Sequence, residues 1–115
     1  MKNFKKLKVW QTGMDIVVRS YALTKLFPVE EKYGLTSQIN RASVSIPSNI
    51  SEVSSRDSSK EHKYYLQIAL GSCFELETQI LIVERLNLAE KNLIDELKVM
   101  IDEEQKMLMS FIKKL

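Results

Sequence analysis

Residues 35–53, LTSQINRASVSIPSNISEV, set Leu35, Ile39, Ala42, Ile46, Ile50 and Val53 at steps of four, three, four, four and three. That rhythm keeps the apolar side chains on one stripe of an α-helix, and such a stripe has to be buried. Pro47 stands inside the stripe, where it removes one backbone donor and crowds the carbonyl of Ser43. Because the stripe continues in phase across Pro47, the sequence predicts one helix kinked there rather than two separate ones.

The chain on either side reads the same way. Upstream, a helix is expected from about Lys8 to Leu26, with Trp10, Met14, Val17 and Tyr21 as its seam and Gly13 as a point of close approach. Phe27-Pro28 ends it, since a residue before proline is pushed out of the α region. Downstream, Ser58 and Glu61 form a capping-box signature, Ser58 accepting from the Glu61 backbone and Glu61 reaching back to the Ser58 N–H. The helix they open extends to about Leu86, with Asn87 as the stop. A fourth helix is expected from Asn92 as N-cap, with Asp95 and Glu96 in its first turn and Lys113 and Lys114 in its last. Its seam reads Leu93, Leu97, Met100, Met107 and Phe111, joined by Ile101, Leu108 and Leu115. Four long amphipathic helices with short connections predict an all-α, up-down antiparallel four-helix bundle filling one domain, residues 1–115.

Composition agrees. The 115 residues are 44% hydrophobic and 28% charged, values of an ordinary globular domain. The longest purely apolar run, Ile80-Leu81-Ile82-Val83, is far short of the ~20 residues that span a bilayer, so no membrane partner is expected. The N-terminal lysines are followed by an apolar stretch that Asp15 interrupts, which does not read as a signal peptide. A lone cysteine, Cys73, fits a reducing compartment, and a cytoplasmic location is expected.

The third helix carries more apolar surface than one bundle needs. Leu66, Ala69, Cys73, Leu76, Ile80 and Val83 suffice for a core line, yet Leu70, Phe74 and Leu81 make a second and Tyr64, Ile68 and Ile82 a third. Self-association would cover the excess, so a homo-oligomer is expected.

Catalysis fails on inventory. The single histidine, His62, and single cysteine, Cys73, cannot build a zinc site between them. Cys73 lies on the core line, where a small buried hydrophobe is the ordinary reading. Ser43, Ser45, Ser48 and Ser51 have no neighbouring histidine to activate them, and Glu75 and Glu77 point to different faces of their helix. No glycine-rich phosphate loop occurs. No enzyme activity, cofactor or metal is expected.

Two surface features remain. Arg41, Ser45, Ser48 and Glu52 line the second helix opposite its apolar stripe, a small-residue face onto which another backbone could close, or simply solvated surface. Basic residues cluster twice, as Lys2, Lys5, Lys6 and Lys8 and as Arg56, Lys60 and Lys63 with His62. Residues 1–63 hold eleven Lys/Arg against six Asp/Glu, a net of +5, and residues 64–115 hold six against nine, a net of −3. Lysine clusters give phosphate affinity without base specificity, and they also describe an ordinary charged face.

The run Tyr33-Gly34-Leu35-Thr36-Ser37-Gln38-Ile39-Asn40-Arg41-Ala42, continuing to Asn49-Ile50-Ser51-Glu52, resembles one family. These are the four-helix bundle proteins first noted as reading frames within intervening sequences of 23S rRNA genes. Val9-Trp10-Gln11, Phe27-Pro28 with Glu31, and Gly71-Ser72 with Glu75-Leu76-Glu77 match as well, so the resemblance spans nearly the whole chain. Asn40 departs from it, standing where a second basic residue before Arg41 is common, as does Val53-Ser54-Ser55, which replaces a glycine-containing stretch. The resemblance implies an up-down bundle assembled as a homopentameric ring. Related members serve reverse transcriptases of diversity-generating retroelements, binding nucleic acid and the polymerase. The expectation that follows is a non-catalytic homo-oligomer, pentamer favoured, that binds RNA or DNA through backbone phosphates. Its candidate contacts are Lys5, Lys6, Lys8, Arg41, Arg56, Lys60 and Lys63, with subunit contacts at Leu70, Phe74, Leu81, Ser45 and Ser48. The alternative is an adaptor ring for a reverse transcriptase or another protein, without nucleic acid.

Overall fold

A computed structural model describes residues 3–115. Four helices make up the fold: α1 (Lys8–Thr24), α2 (Leu35–Glu52), α3 (Ser59–Arg85) and α4 (Lys91–Lys113). They pack as an up-down antiparallel bundle in which α1 and α3 each lie between α2 and α4, within a body of 43 × 24 × 20 Å. Short 3₁₀ turns at Phe4–Lys6, Val29–Glu31 and Val53–Ser55 flank the helices.

The core line expected of α3 is the one observed: Leu66, Ala69, Cys73, Leu76, Ile80 and Val83 are all buried, facing Ile39, Ala42, Ile46 and Ile50 of α2. By length and composition α3 would also pass as a bilayer-spanning helix. Glu75 and Glu77 interrupt its apolar surface, and α2 and α4 pack along it. Burying a side chain the size of Leu66, Leu76, Ile80 or Val83 is worth about 1.5–3 kcal/mol, so this seam contributes substantially to the stability.

The helix ends follow their local chemistry. Ser58 Oγ accepts from the Glu61 N–H at 3.1 Å; the Glu61 carboxylate accepts from the Ser58 hydroxyl at 3.2 Å rather than from its backbone N–H. Asn87 stops α3 at φ 55°, in the left-handed region that asparagine tolerates. Its N–H donates to the Glu84 carbonyl at 3.2 Å and that of Leu88 to Val83 at 3.1 Å, the two bonds of a Schellman cap. α2 runs unbroken through Pro47. Every neighbouring pair of helices also shares a polar tie. Thr24 Oγ1 donates to Asn40 Oδ1 at 3.0 Å (α1–α2), Ser72 Oγ to Ser45 Oγ at 2.8 Å (α2–α3), and Gln105 Nε2 to Glu77 Oε1 at 2.9 Å (α3–α4). Arg19 pairs with Glu96 between α1 and α4.

Three expectations need correction. The buried side of α1 is Val9, Gly13, Ile16, Ser20 and Leu23, one residue round from the expected seam, and Met14 and Tyr21 face out. Two of its core positions hold Gly13 and Ser20, so hydrophobicity pointed to the neighbouring line. α4 begins two residues earlier, with Glu90 as N-cap and Asn92 already helical. Its core side is Ile94, Leu97, Ile101, Glu104 and Leu108, which places an acid where the expected seam stepped from Met100 to Met107.

Glu104 is 0% exposed, and neither of its carboxyl oxygens has a hydrogen-bond partner. It reaches across the core to Gly13, where an added Cβ would lie 3.0 Å from Glu104 Oε2 and 3.4 Å from Ile46 and Pro47 side-chain atoms. Gly13 is therefore the recess that accommodates the carboxyl group. Burial pushes the Glu104 carboxyl from 4.5 up to about 8, so the folded chain holds this proton at neutral pH. The unfolded chain releases it near 4.5. Unfolding is therefore increasingly favoured as pH rises from about 4.5 to about 8, by up to ~1.4 kcal/mol per pH unit.

Glu104→Gln should flatten that decline and raise stability at pH 7 by about 2 kcal/mol, read from urea unfolding at several pH values. Gly13→Ala alone should destabilise the bundle, and combining it with Glu104→Leu should recover most of the loss.

Candidate nucleic-acid interface

An even number of antiparallel helices brings the chain's beginning, its end and the α2–α3 corner to the same end of the bundle. The Ser59 hydroxyl donates to the Leu115 carbonyl at 3.2 Å, which ties the start of α3 to the end of α4. The two basic clusters read separately in sequence thus share one surface with the last turn of α4. Lys5, Lys6, Lys8, Lys60, Lys63, Lys113 and Lys114 are all exposed there. Among the described residues none of these seven lysines is ion-paired within the chain. Lys2 lies outside the described residues. In sequence Lys113 and Lys114 register only as helix-closing charges; the antiparallel arrangement is what adds them.

Arg56 behaves differently. Its guanidinium lies 3.9 Å from Glu52 and 3.7 Å from Glu61, and 4.9 Å from the centre of the Tyr65 ring. The His62 ring donates from Nε2 to the Arg56 carbonyl at 2.7 Å. Both ends of the residue are engaged in fixing the turn between α2 and α3, so its charge is largely compensated locally.

Arg41 is remote from this end. It lies fifteen residues before Arg56, about 22 Å along a helical path. It is exposed and borders two hollows, one shared with Gln38, Ser45 and Glu75, the other with Tyr21, Lys32, Tyr33 and Asn40. Lys32 and Tyr33 are not among the contacts expected from the sequence because they sit in a connection, outside any periodic pattern.

The expected subunit contacts divide as well. Phe74 and Leu81 stand exposed on α3, as do Tyr64 and Ile82. Leu70 is half-buried against the chain's own core. Ser45 accepts from Ser72 of α3 at 2.8 Å and from Asn49 at 3.0 Å, so the backbone that its small side chain admits is α3 of the same chain. Ser48 is exposed and lines an outer groove of about 330 Å³ between α1 and α2, with Phe4, Trp10, Met14, Val17 and Val44.

No group of acidic, histidine or cysteine side chains that could hold a metal occurs among the described residues. Burial, reinforced by the Glu104 and Glu77 carboxyls, holds the Cys73 thiol protonated.

The geometry defines an all-α, up-down four-helix bundle whose one end is a concentrated lysine surface. Residues 5–110 match the family model described as 23S rRNA-intervening sequence protein, and the chain belongs to that family. It is also similar to a solved structure of a protein of unknown function from the S23 ribosomal protein family of Bacteroides thetaiotaomicron. The two share 27% identity over 91% of this chain and 98% of that one, with a TM-score of 0.83. No curated protein matches the chain.

Arg56→Ala should lower stability by about 1–2 kcal/mol through loss of the ring contact and both ion pairs, measured by thermal unfolding.

Proposed function

We propose that this protein is a non-catalytic, homo-oligomeric nucleic-acid-associated protein of the bacterial type that gripped attention first in rRNA intervening sequences, and that it holds backbone phosphates with the lysine-rich end of its bundle. The observation that carries this reading is the convergence of Lys5, Lys6, Lys8, Lys60, Lys63, Lys113 and Lys114 on one end, exposed and, among the described residues, without internal ion pairs. Point charges on long flexible stems neutralise phosphates without reading bases, so binding should be largely indifferent to sequence. The family's link to rRNA genes supports the same reading. Arg56 contributes by fixing the corner that carries Lys60 and Lys63.

Assembly is supported by two separate apolar surfaces, the α3 face of Tyr64, Phe74, Leu81 and Ile82 and the α1–α2 groove around Trp10 and Met14. Two unlike patches on one chain suit head-to-tail contacts, which form a ring when the rotation between subunits closes. A homopentamer, as the resemblance implies, is the favoured closure, and a ring would repeat the lysine end around its rim. The second reading is an adaptor ring that meets a protein such as a reverse transcriptase. The same apolar surface favours it, provided part remains uncovered after assembly.

Two sets of variants test the proposal. Replacing Lys5, Lys6, Lys8, Lys60 and Lys63 by Gln should weaken binding to rRNA fragments and duplex DNA by at least about tenfold at 100 mM salt, with thermal unfolding unchanged. Undiminished binding, or none by the parent protein at low salt, contradicts it. Phe74→Glu with Leu81→Glu should convert the oligomer to monomers in sedimentation velocity; a parent protein that is already monomeric contradicts the assembly.

A further inference from the structure

At the opposite end from the lysines, α1, the α1–α2 connection and the first turns of α2 enclose an open cleft of about 780 Å³. Its walls are Tyr21 and Tyr33, its cations Lys32 and Arg41, and its short polar lining Thr36, Ser37 and Asn40. Tyr33 is 88% exposed, more than any other large apolar or aromatic side chain among the described residues. An aromatic ring so exposed has no part in the buried core. Lys32 Nζ lies 5.4 Å from the centre of that ring, close enough to hold a cation over its face. Arg41 is exposed and makes no ion pair within the chain among the described residues.

This set differs in kind from the lysine end. Lysines alone recognise a charged backbone and are satisfied by a duplex. A free aromatic face beside a guanidinium, an ammonium and hydroxyl and amide groups offers a surface for a flat heterocycle together with its phosphate. Bases in a duplex are already stacked on one another and present only their edges, whereas an unpaired base has a face to offer. We infer that the cleft is a second contact that takes an unpaired nucleotide of single-stranded RNA or DNA, its base stacked on Tyr33 and its phosphate between Arg41 and Lys32. The inference rests on the nucleic-acid reading above and adds to it a preference for single strands.

The test compares Tyr33→Ala, Tyr33→Phe and the parent protein on a fluorescent single-stranded oligonucleotide and on the duplex of the same sequence, with sedimentation velocity on each variant. Tyr33 is exposed, so these variants keep the fold. Tyr33→Ala should weaken single-strand binding by roughly tenfold, leave duplex binding unchanged, and be rescued by Tyr33→Phe, which keeps the stacking face. Arg41→Gln should weaken single-strand binding and reduce its salt dependence by about one phosphate contact. Equal loss on single strand and duplex, or no loss on either, overturns the cleft while leaving the lysine end intact. A parent protein that binds neither substrate at low salt overturns the underlying reading instead. A change of oligomeric state in Tyr33→Ala assigns the cleft to a subunit contact and likewise overturns the inference.

Discussion

The buried seam of α3 imposes the architecture. Leu66, Ala69, Cys73, Leu76, Ile80 and Val83 have no exposed surface, and a seam that long can be covered only by helices lying along it. The connections are short, so successive helices must run antiparallel. Once four helices alternate in direction, Lys5, Lys6 and Lys8 before α1, Lys60 and Lys63 in the first turns of α3, and Lys113 and Lys114 closing α4 have to meet. The basic surface is thus a consequence of core packing acting on charges scattered through the sequence.

Gly13 and Glu104 show where the core departs from simple apolar packing. A carboxyl with no partner in a bundle interior opposes folding at neutral pH, and it is accommodated because α1 presents a residue without a side chain opposite it. Protonation makes the arrangement tolerable, since a neutral carboxyl is far less costly to bury than a carboxylate. The two positions have to be considered together, because a methyl group at residue 13 meets the carboxyl before anything else.

Much of this was legible in the sequence. The α3 and α2 seams, the Ser58 start and the Asn87 stop each rest on local rules that the tertiary structure obeys. The seam of α1 was displaced because Gly13 and Ser20 occupy core positions that hydrophobicity does not mark. Glu104 was passed over for a similar reason, although its place between Ile101 and Leu108, at steps of three and four, puts it on the buried side of α4. Ser45 was read as outward-facing until Ser72 supplied a partner that lies 27 residues away. At the candidate site the lysines were recognised individually, but their convergence depends on topology. Tyr33 and Lys32 lie in a connection, where no periodicity reports what a side chain faces.

The central claim is that phosphate neutralisation by the converged lysines drives binding. It is tested most directly by the affinity for an RNA fragment measured across a series of salt concentrations. Engagement of four or more lysines predicts that the logarithm of the association constant falls with the logarithm of salt at a slope of about −3 or steeper. A slope near zero, with affinity retained at high salt, would contradict it.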